Sequence, residues 1–298
     1  MNDRGIGESE LVAALPEVVV VFAALVTQLG DVWFLFGIVG LLYWFGGTLP
    51  GPVAFDRRRG AFVLALAMGY RATATTLKAL FAYPRPPNAD VAPATDLVPA
   101  LLKPIYAAAA TGTGFGFPSG HAVGATVVYG GIALLVGTRR AYASAAVLAA
   151  VVALSRVVLG VHYLADITAG AVVGLAFLAV AYHGCDRGDK PGRVLSIALV
   201  IALLGPLVGE YTFDTMAVLG LTLGARIMWG SIGDAVLHEE TTRVGAVVAA
   251  VFGGIVAAPG GLAYAIEAAP HVAFLTMAVG LGGVVAAPVV GEAVARRI

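Results

Sequence analysis

Long apolar runs separated by short polar stretches dominate the chain. A hydrocarbon core about 30 Å thick is crossed by a helix of roughly 20 apolar residues, and lipid offers no partner to an unpaired backbone amide, so runs of that length predict spanning helices. Roughly eight or nine are present, over approximately 31–48, 61–82, 119–137, 141–160, 163–182, 194–210, 213–229, 243–264 and 270–290. Leu11 to Leu29 is less uniform. Pro16 and Glu17 leave an uninterrupted apolar run only from Val18 to Val26, which predicts an interfacial helix or a short first span. The predicted fold class is all-α, a polytopic transmembrane helical bundle. It divides into 1–30, an interfacial or short first membrane helix; 31–182, a transmembrane core; and 183–298, a C-terminal transmembrane extension of about four helices.

Composition agrees with a lipid environment. Hydrophobic residues make up 59% of the 298 and charged residues 12%, about half the charged share of a soluble domain. The 18 basic and 18 acidic side chains cancel, so no global field points to nucleic acid. Cys185 is the single cysteine, which excludes an intrachain disulfide and a cysteine-based metal site. Asp3, Glu8 and Glu10 stand against Arg4 in the first ten residues; this is not the basic start of a cleavable signal peptide, and the first hydrophobic segment is expected to remain. Arg57, Arg58 and Arg59, then Arg139 and Arg140, then Arg187, Lys190 and Arg193 follow alternate spans and fall on one side. Short cytoplasmic loops hold the excess of Arg and Lys, so loops 83–118 and 155–163 are expected to face outward from the cell membrane.

Ionisable groups at membrane depth are costly and are functional candidates by default. Here they gather in three places, all on the expected outward side: Lys78 with Arg85-Pro86; Pro118-Ser119-Gly120-His121; and Ser155-Arg156 with His162 and Asp166. Four positions separate His162 from Asp166, so if the helix begins at or before His162 the two share a face one turn apart, and the carboxylate can accept a hydrogen bond from Nδ1–H, fix the tautomer and leave Nε2 free as a nucleophile. Ser119 is suited to cap a helix, Gly120 lets an anion approach the backbone, and the helix start favours negative charge. Lys78, Arg85 and Arg156 supply positive charge for phosphate oxygens, and His121 is available to protonate a leaving oxygen.

These residues carry a resemblance. Lysine, six residues, then Arg-Pro; Pro-Ser-Gly-His; and Ser-Arg, five residues, His, three residues, Asp are all present in order, as Lys78 with Arg85-Pro86, as Pro118 to His121, and as Ser155-Arg156, His162 and Asp166. The chain resembles the type 2 phosphatidic acid phosphatase family of membrane lipid phosphatases, related to the vanadium-dependent haloperoxidases, over roughly residues 11–182. The resemblance implies a phosphatase core that hydrolyses a lipid phosphate or polyprenyl diphosphate through a phosphohistidine on His162. Asp166 would orient it, His121 would be general acid and then base, and Lys78, Arg85, Ser119, Gly120 and Arg156 would bind phosphate. It implies no metal and no cofactor. The expected partners are a phosphorylated lipid and the bilayer. Transfer to an acceptor alcohol shares the first half-reaction and remains an alternative, as does a transporter or scaffold built on the same core. Peroxidation is disfavoured, because the related peroxidases are soluble.

The region after 182 is outside the motifs. Its echo, Gly253 to Pro259 against Gly282 to Pro288, predicts two similar, closely packed helices. Glu210, Asp214, Arg226, Asp234, Glu239 and Glu240 are expected at span ends as solvated groups.

Overall fold

A computed structural model of the chain describes residues 4–48 and 55–298; Asp3, counted in the N-terminal charge balance, lies outside them. The described residues form α1 (Glu8–Ala13), α2 (Glu17–Thr27), α3 (Val32–Phe45), α4 (Arg57–Phe81), α5 (Lys103–Ala110), α6 (Gly120–Val136), α7 (Arg139–Val158), α8 (Leu164–Gly184), α9 (Pro191–Val208), α10 (Phe213–His238), α11 (Arg243–Ala265) and α12 (Pro270–Ala295). Among the described residues no strand occurs. Each expected span overlaps one of these helices, but α4 and α6, expected as spans over 61–82 and 119–137, are not among those long and apolar enough to cross a membrane. Six helices, α7 to α12, are long and apolar enough, and the pair α2 and α3, broken at Asp31, would add a seventh. Only between 28% and 44% of the apolar window of each of the six is buried. Their uncovered faces carry residues such as Val147, Leu154, Val172 and Leu175, a surface that lipid solvates and water does not.

The chain forms two compact units that interleave in sequence. The first holds the described residues through Leu35 together with Leu77–Ala176; the second holds Phe36–Thr76 and Phe177–Ile298. In the first, α6 packs on α7 and α2 packs on α7 and α5. A small core of Val20, Ala24, Tyr106, Ala110, Leu159 and Val161 joins α2, α5 and the turn after α7. α8 and α6 approach closely through small residues. A Cβ on Gly170 would stand 2.8 Å from the Ser119 carbonyl oxygen and 2.9 Å from the Ala122 Cβ, and one on Gly174 would stand 2.9 Å from the Thr126 Cβ. Gly170→Ala is therefore expected to destabilise the protein by about 1–3 kcal/mol, because backbone must move to admit the methyl group. Thermal denaturation in detergent measures this, and an unchanged midpoint would show that the two helices part freely.

In the second unit α12 packs on α10 and α11. A Cβ on Gly283 would stand 2.6 Å from Val256, and Gly220 and Gly224 lie directly against the Phe274 and Ala278 backbone; small residues let these helices touch. Glu292 is buried, pairs with Arg57 at 3.3 Å and accepts from the Thr242 amide and hydroxyl at 3.0 and 2.8 Å, so its charge is both matched and hydrogen-bonded. Asp234 is exposed, as expected of a group near a span end, and Arg226 is half-buried. α10 runs to His238, nine residues beyond the limit set by bilayer thickness, so both lie inside the helix. The Arg226 Nε donates to Ser196 Oγ at 2.8 Å.

Candidate active site

Four helix ends bring the motif residues into the first unit: the C-terminus of α4, the N-terminus of α6, the C-terminus of α7 and the N-terminus of α8. The α7 end is a Schellman turn. Gly160 takes a left-handed φ of 69°, its amide donates to the Val157 carbonyl at 2.8 Å, and the Val161 amide donates to the Arg156 carbonyl at 3.1 Å. Val161 is fully buried beneath the turn, and the next residue is His162.

α8 begins at Leu164, two residues after His162, so the two groups do not share a helix face as the spacing suggested. They meet nevertheless. Asp166 is the third residue of α8, and its Oδ2 reaches back to the Tyr163 amide at 3.1 Å, the return half of a capping box. The same oxygen lies 3.3 Å from His162 Nδ1. Asp166 is 0% exposed and His162 3%.

Arg85 fixes the tautomer. Its Nη1 lies 3.0 Å from His162 Nε2, and a guanidinium can only donate. Nε2 must therefore hold the lone pair, and Nδ1 carries the proton that Asp166 accepts. Arg85 is held by the Thr113 and Val161 carbonyls at 2.9 and 3.0 Å. Glycines make room for it: a Cβ on Gly112 would stand 2.7 Å from Nη1 and one on Gly116 3.2 Å from Cγ. Burial holds the His162 imidazole well below the ordinary histidine range. The Arg85, Lys78 and Arg156 charges push the same way, against a backbone hydrogen bond at Gly116. Burial also lowers Arg85, while the Asp166 charge opposes it.

The remaining motif residues surround this group to different degrees. Ser119 occupies the N-cap position of α6, but its hydroxyl makes no capping bond. The Oγ is buried and has no hydrogen-bond partner among the described residues. The Ser119 amide donates instead to the Asp166 carbonyl at 3.0 Å, tying α6 to α8. A Cβ on Gly120 would meet no atom within 4 Å, so the backbone there is open to approach. Lys78 ends α4 within charge–charge reach of His162. The His121 Nε2 is buried without a hydrogen-bond partner among the described residues, and its nearest acid is Asp31, 4.0 Å away. Arg156 is held from behind: its Nη1 donates to the Thr27 hydroxyl at 2.9 Å and the Ala109 carbonyl at 3.0 Å and its Nη2 to the Thr111 carbonyl at 3.4 Å, while its Nε is buried with no hydrogen-bond partner among the described residues. Among the described residues, no group of three or more His, Cys, Asp or Glu stands as a metal-holding set.

Sequence reasoning passed over several groups seen here. Thr113 and the glycines that seat Arg85 lie in the run Thr111-Gly112-Thr113-Gly114-Phe115-Gly116, whose alternating glycines were the available signal. Asp31, Arg4 and Glu8 also reach the site, and nothing in their spacing marks them.

Comparison with known proteins gives this arrangement its class. The decaprenylphosphoryl-5-phosphoribose phosphatase of Mycobacterium tuberculosis, in strains CDC 1551 / Oshkosh and ATCC 25618 / H37Rv, is 32% identical over 139 residues, covering 46% of this chain and 68% of the relative. No solved structure matches the chain. The protein is a membrane phosphatase, a phosphate ester hydrolase. It belongs to the PAP2 superfamily, whose sequence profile matches residues 60–188 and so covers every motif residue from Lys78 to Asp166.

Proposed function

We propose that the protein hydrolyses a phosphate monoester or diphosphate carried on a lipid, through a phosphohistidine on His162 and without a metal. The observation that carries this is the opposed pair of contacts on one buried imidazole, Asp166 at Nδ1 and Arg85 at Nε2. They leave the Nε2 lone pair directed at a cation that a phosphoryl oxygen can share. Nε2 attacks phosphorus and the bond to the leaving oxygen breaks. Asp166 stabilises the imidazolium character that develops, and His121 donates the proton that the leaving oxygen takes up. Water, deprotonated by His121, then attacks phosphorus, and the P–N bond breaks to restore Nε2. Lys78, Arg85, Arg156, the Ser119 hydroxyl and the Gly120 amide bind the phosphoryl oxygens. Fixed charge of this kind supplies most of what phosphoryl transfer requires.

The relative's name supports a polyprenyl carrier, because that protein acts on a decaprenyl-linked phosphate. The apolar flanks of α7 and α8 beside the site fit a substrate held in the bilayer. Charge placement supports a site on the extracytoplasmic face of the cell membrane: α7 starts at Arg139 and Arg140 and ends at the site, while α8 starts at the site and is followed by Arg187 and Lys190. Purified protein in detergent, assayed with a chelator present, is expected to release phosphate from polyprenyl phosphates and diphosphates more than about tenfold faster than from soluble sugar phosphates of the same head group. Equal rates for both would remove the lipid from the account.

A further inference from the structure

Arg4 lies 162 residues from Asp166 in sequence and touches it. Its Nε donates to Asp166 Oδ1 at 3.1 Å, its Nη2 stands 3.0 Å from the same oxygen, and Nη2 also donates to the Pro84 carbonyl at 2.8 Å. The guanidinium stacks among three rings, 4.9 Å from the Tyr83 centroid, 5.3 Å from Tyr163 and 5.7 Å from Phe117. Its side chain is 14% exposed. Glu8 anchors the same segment. Its Oε1 accepts from the Leu164 amide at 3.0 Å, satisfying one of the free amides of the first turn of α8, and its Oε2 accepts from the Ile6 amide at 2.5 Å.

The two oxygens of Asp166 therefore have separate duties. Oδ2 accepts from His162 Nδ1 and the Tyr163 amide, while Oδ1 is taken by Arg4. A carboxylate held at one oxygen only can rotate about its terminal torsion, which is broad and nearly two-fold. With donors fixed on both oxygens, Oδ2 stays opposite Nδ1. The buried carboxylate also gains a formal positive charge that does not depend on the protonation of His162.

We infer that Arg4 is a positioning residue for the hydrolytic reaction, holding Asp166 so that it orients His162, with Glu8 anchoring the segment that carries it. This inference rests on the reading of His162 as nucleophile and Asp166 as its orienting partner. It differs from a purely structural strap, in which Arg4 would anchor the segment and affect the reaction only through folding. It differs equally from a phosphate ligand, whose loss would weaken substrate binding.

The test is a mutant cycle on the full chain in detergent, using a polyprenyl phosphate and, separately, p-nitrophenyl phosphate. Arg4→Ala is expected to lower kcat about ten- to hundredfold while KM stays within about twofold. Arg4→Lys, which keeps the charge but not the fork, is expected to fall between Arg4→Ala and wild type. In an Asp166→Asn background, Arg4→Ala is expected to change kcat less than about twofold, because the group it acts through is gone. An unchanged kcat in Arg4→Ala, or the same fold-loss in both backgrounds, would overturn the inference. A raised KM with unchanged kcat would also overturn it, by making Arg4 a substrate ligand. If Arg4→Ala does not fold, Arg4→Gln and Arg4→Lys carry the same cycle, and additive losses in both would overturn the inference equally. His162→Ala is run beside them. Turnover in that variant removes the nucleophile assignment itself, whereas an inactive His162→Ala with an indifferent Arg4→Ala removes only the role of Arg4.

Discussion

His162→Ala is expected to lower phosphate release by roughly four orders of magnitude or more, because in the proposed mechanism His162 forms the covalent intermediate. The fold should survive. Arg85 keeps the Thr113 and Val161 carbonyls, and Asp166 keeps the Tyr163 amide and Arg4, so neither charge is left without a partner. The cost in stability is expected to be about 1–3 kcal/mol for the lost hydrogen bonds and volume. Phosphate release and thermal denaturation, measured on the same preparation, separate the two effects. A rate within tenfold of wild type in a folded variant would rule out His162 as the nucleophile.

Asp166→Asn is expected to give the second largest loss, about 10²- to 10⁴-fold in kcat with little change in KM. The substitution keeps the volume and removes an acceptor. All the groups around this side chain, Arg4, the Tyr163 amide and His162 Nδ1–H, are donors. An amide nitrogen in either orientation therefore faces at least one of them. If it faces Nδ1, that atom must become the acceptor, and the proton moves to Nε2. There it meets the Arg85 Nη1 donor 3.0 Å away, and the nucleophilic lone pair is lost. KM is expected to hold because Asp166 is fully buried behind the imidazole and not among the phosphate-binding groups. Steady-state kinetics on the folded variant check this, and a wild-type kcat would separate the carboxylate from the reaction.

Much of the fold was legible because bilayer thickness and helix rise together fix how long an apolar run must be. α7 and α8 fall within a few residues of their expected limits. α10 does not, because the thickness argument ends a span where hydrophobicity ends, whereas the helix continues through Gly230 to His238 on its own hydrogen bonds. The candidate site was legible where residues lie close in sequence or in a spaced motif. His162 with Asp166 is such a case, although the contact arises from a helix cap and not from one helical face. Ser119 shows the limit of that reasoning. Its type suits the N-cap position that it occupies, but residue type does not say whether the hydroxyl turns to the helix or away from it. Arg4, Glu8 and Asp31 were beyond reach for a different reason. Each acts through tertiary contacts made from a short or irregular segment, and such contacts leave no periodicity in the chain.

The central claim is that phosphate passes through His162, and trapping the intermediate tests it most directly. Enzyme mixed with ³²P-labelled substrate and quenched in alkali within one turnover should carry label that survives base and is released by mild acid, as a phosphohistidine does. The label should be found on the peptide containing His162 and should be absent from His162→Ala. It should accumulate in His121→Ala when the leaving group needs no proton, because the water step still requires a base. Burst-phase phosphate release with no protein-bound label, or label on another residue, would contradict the account.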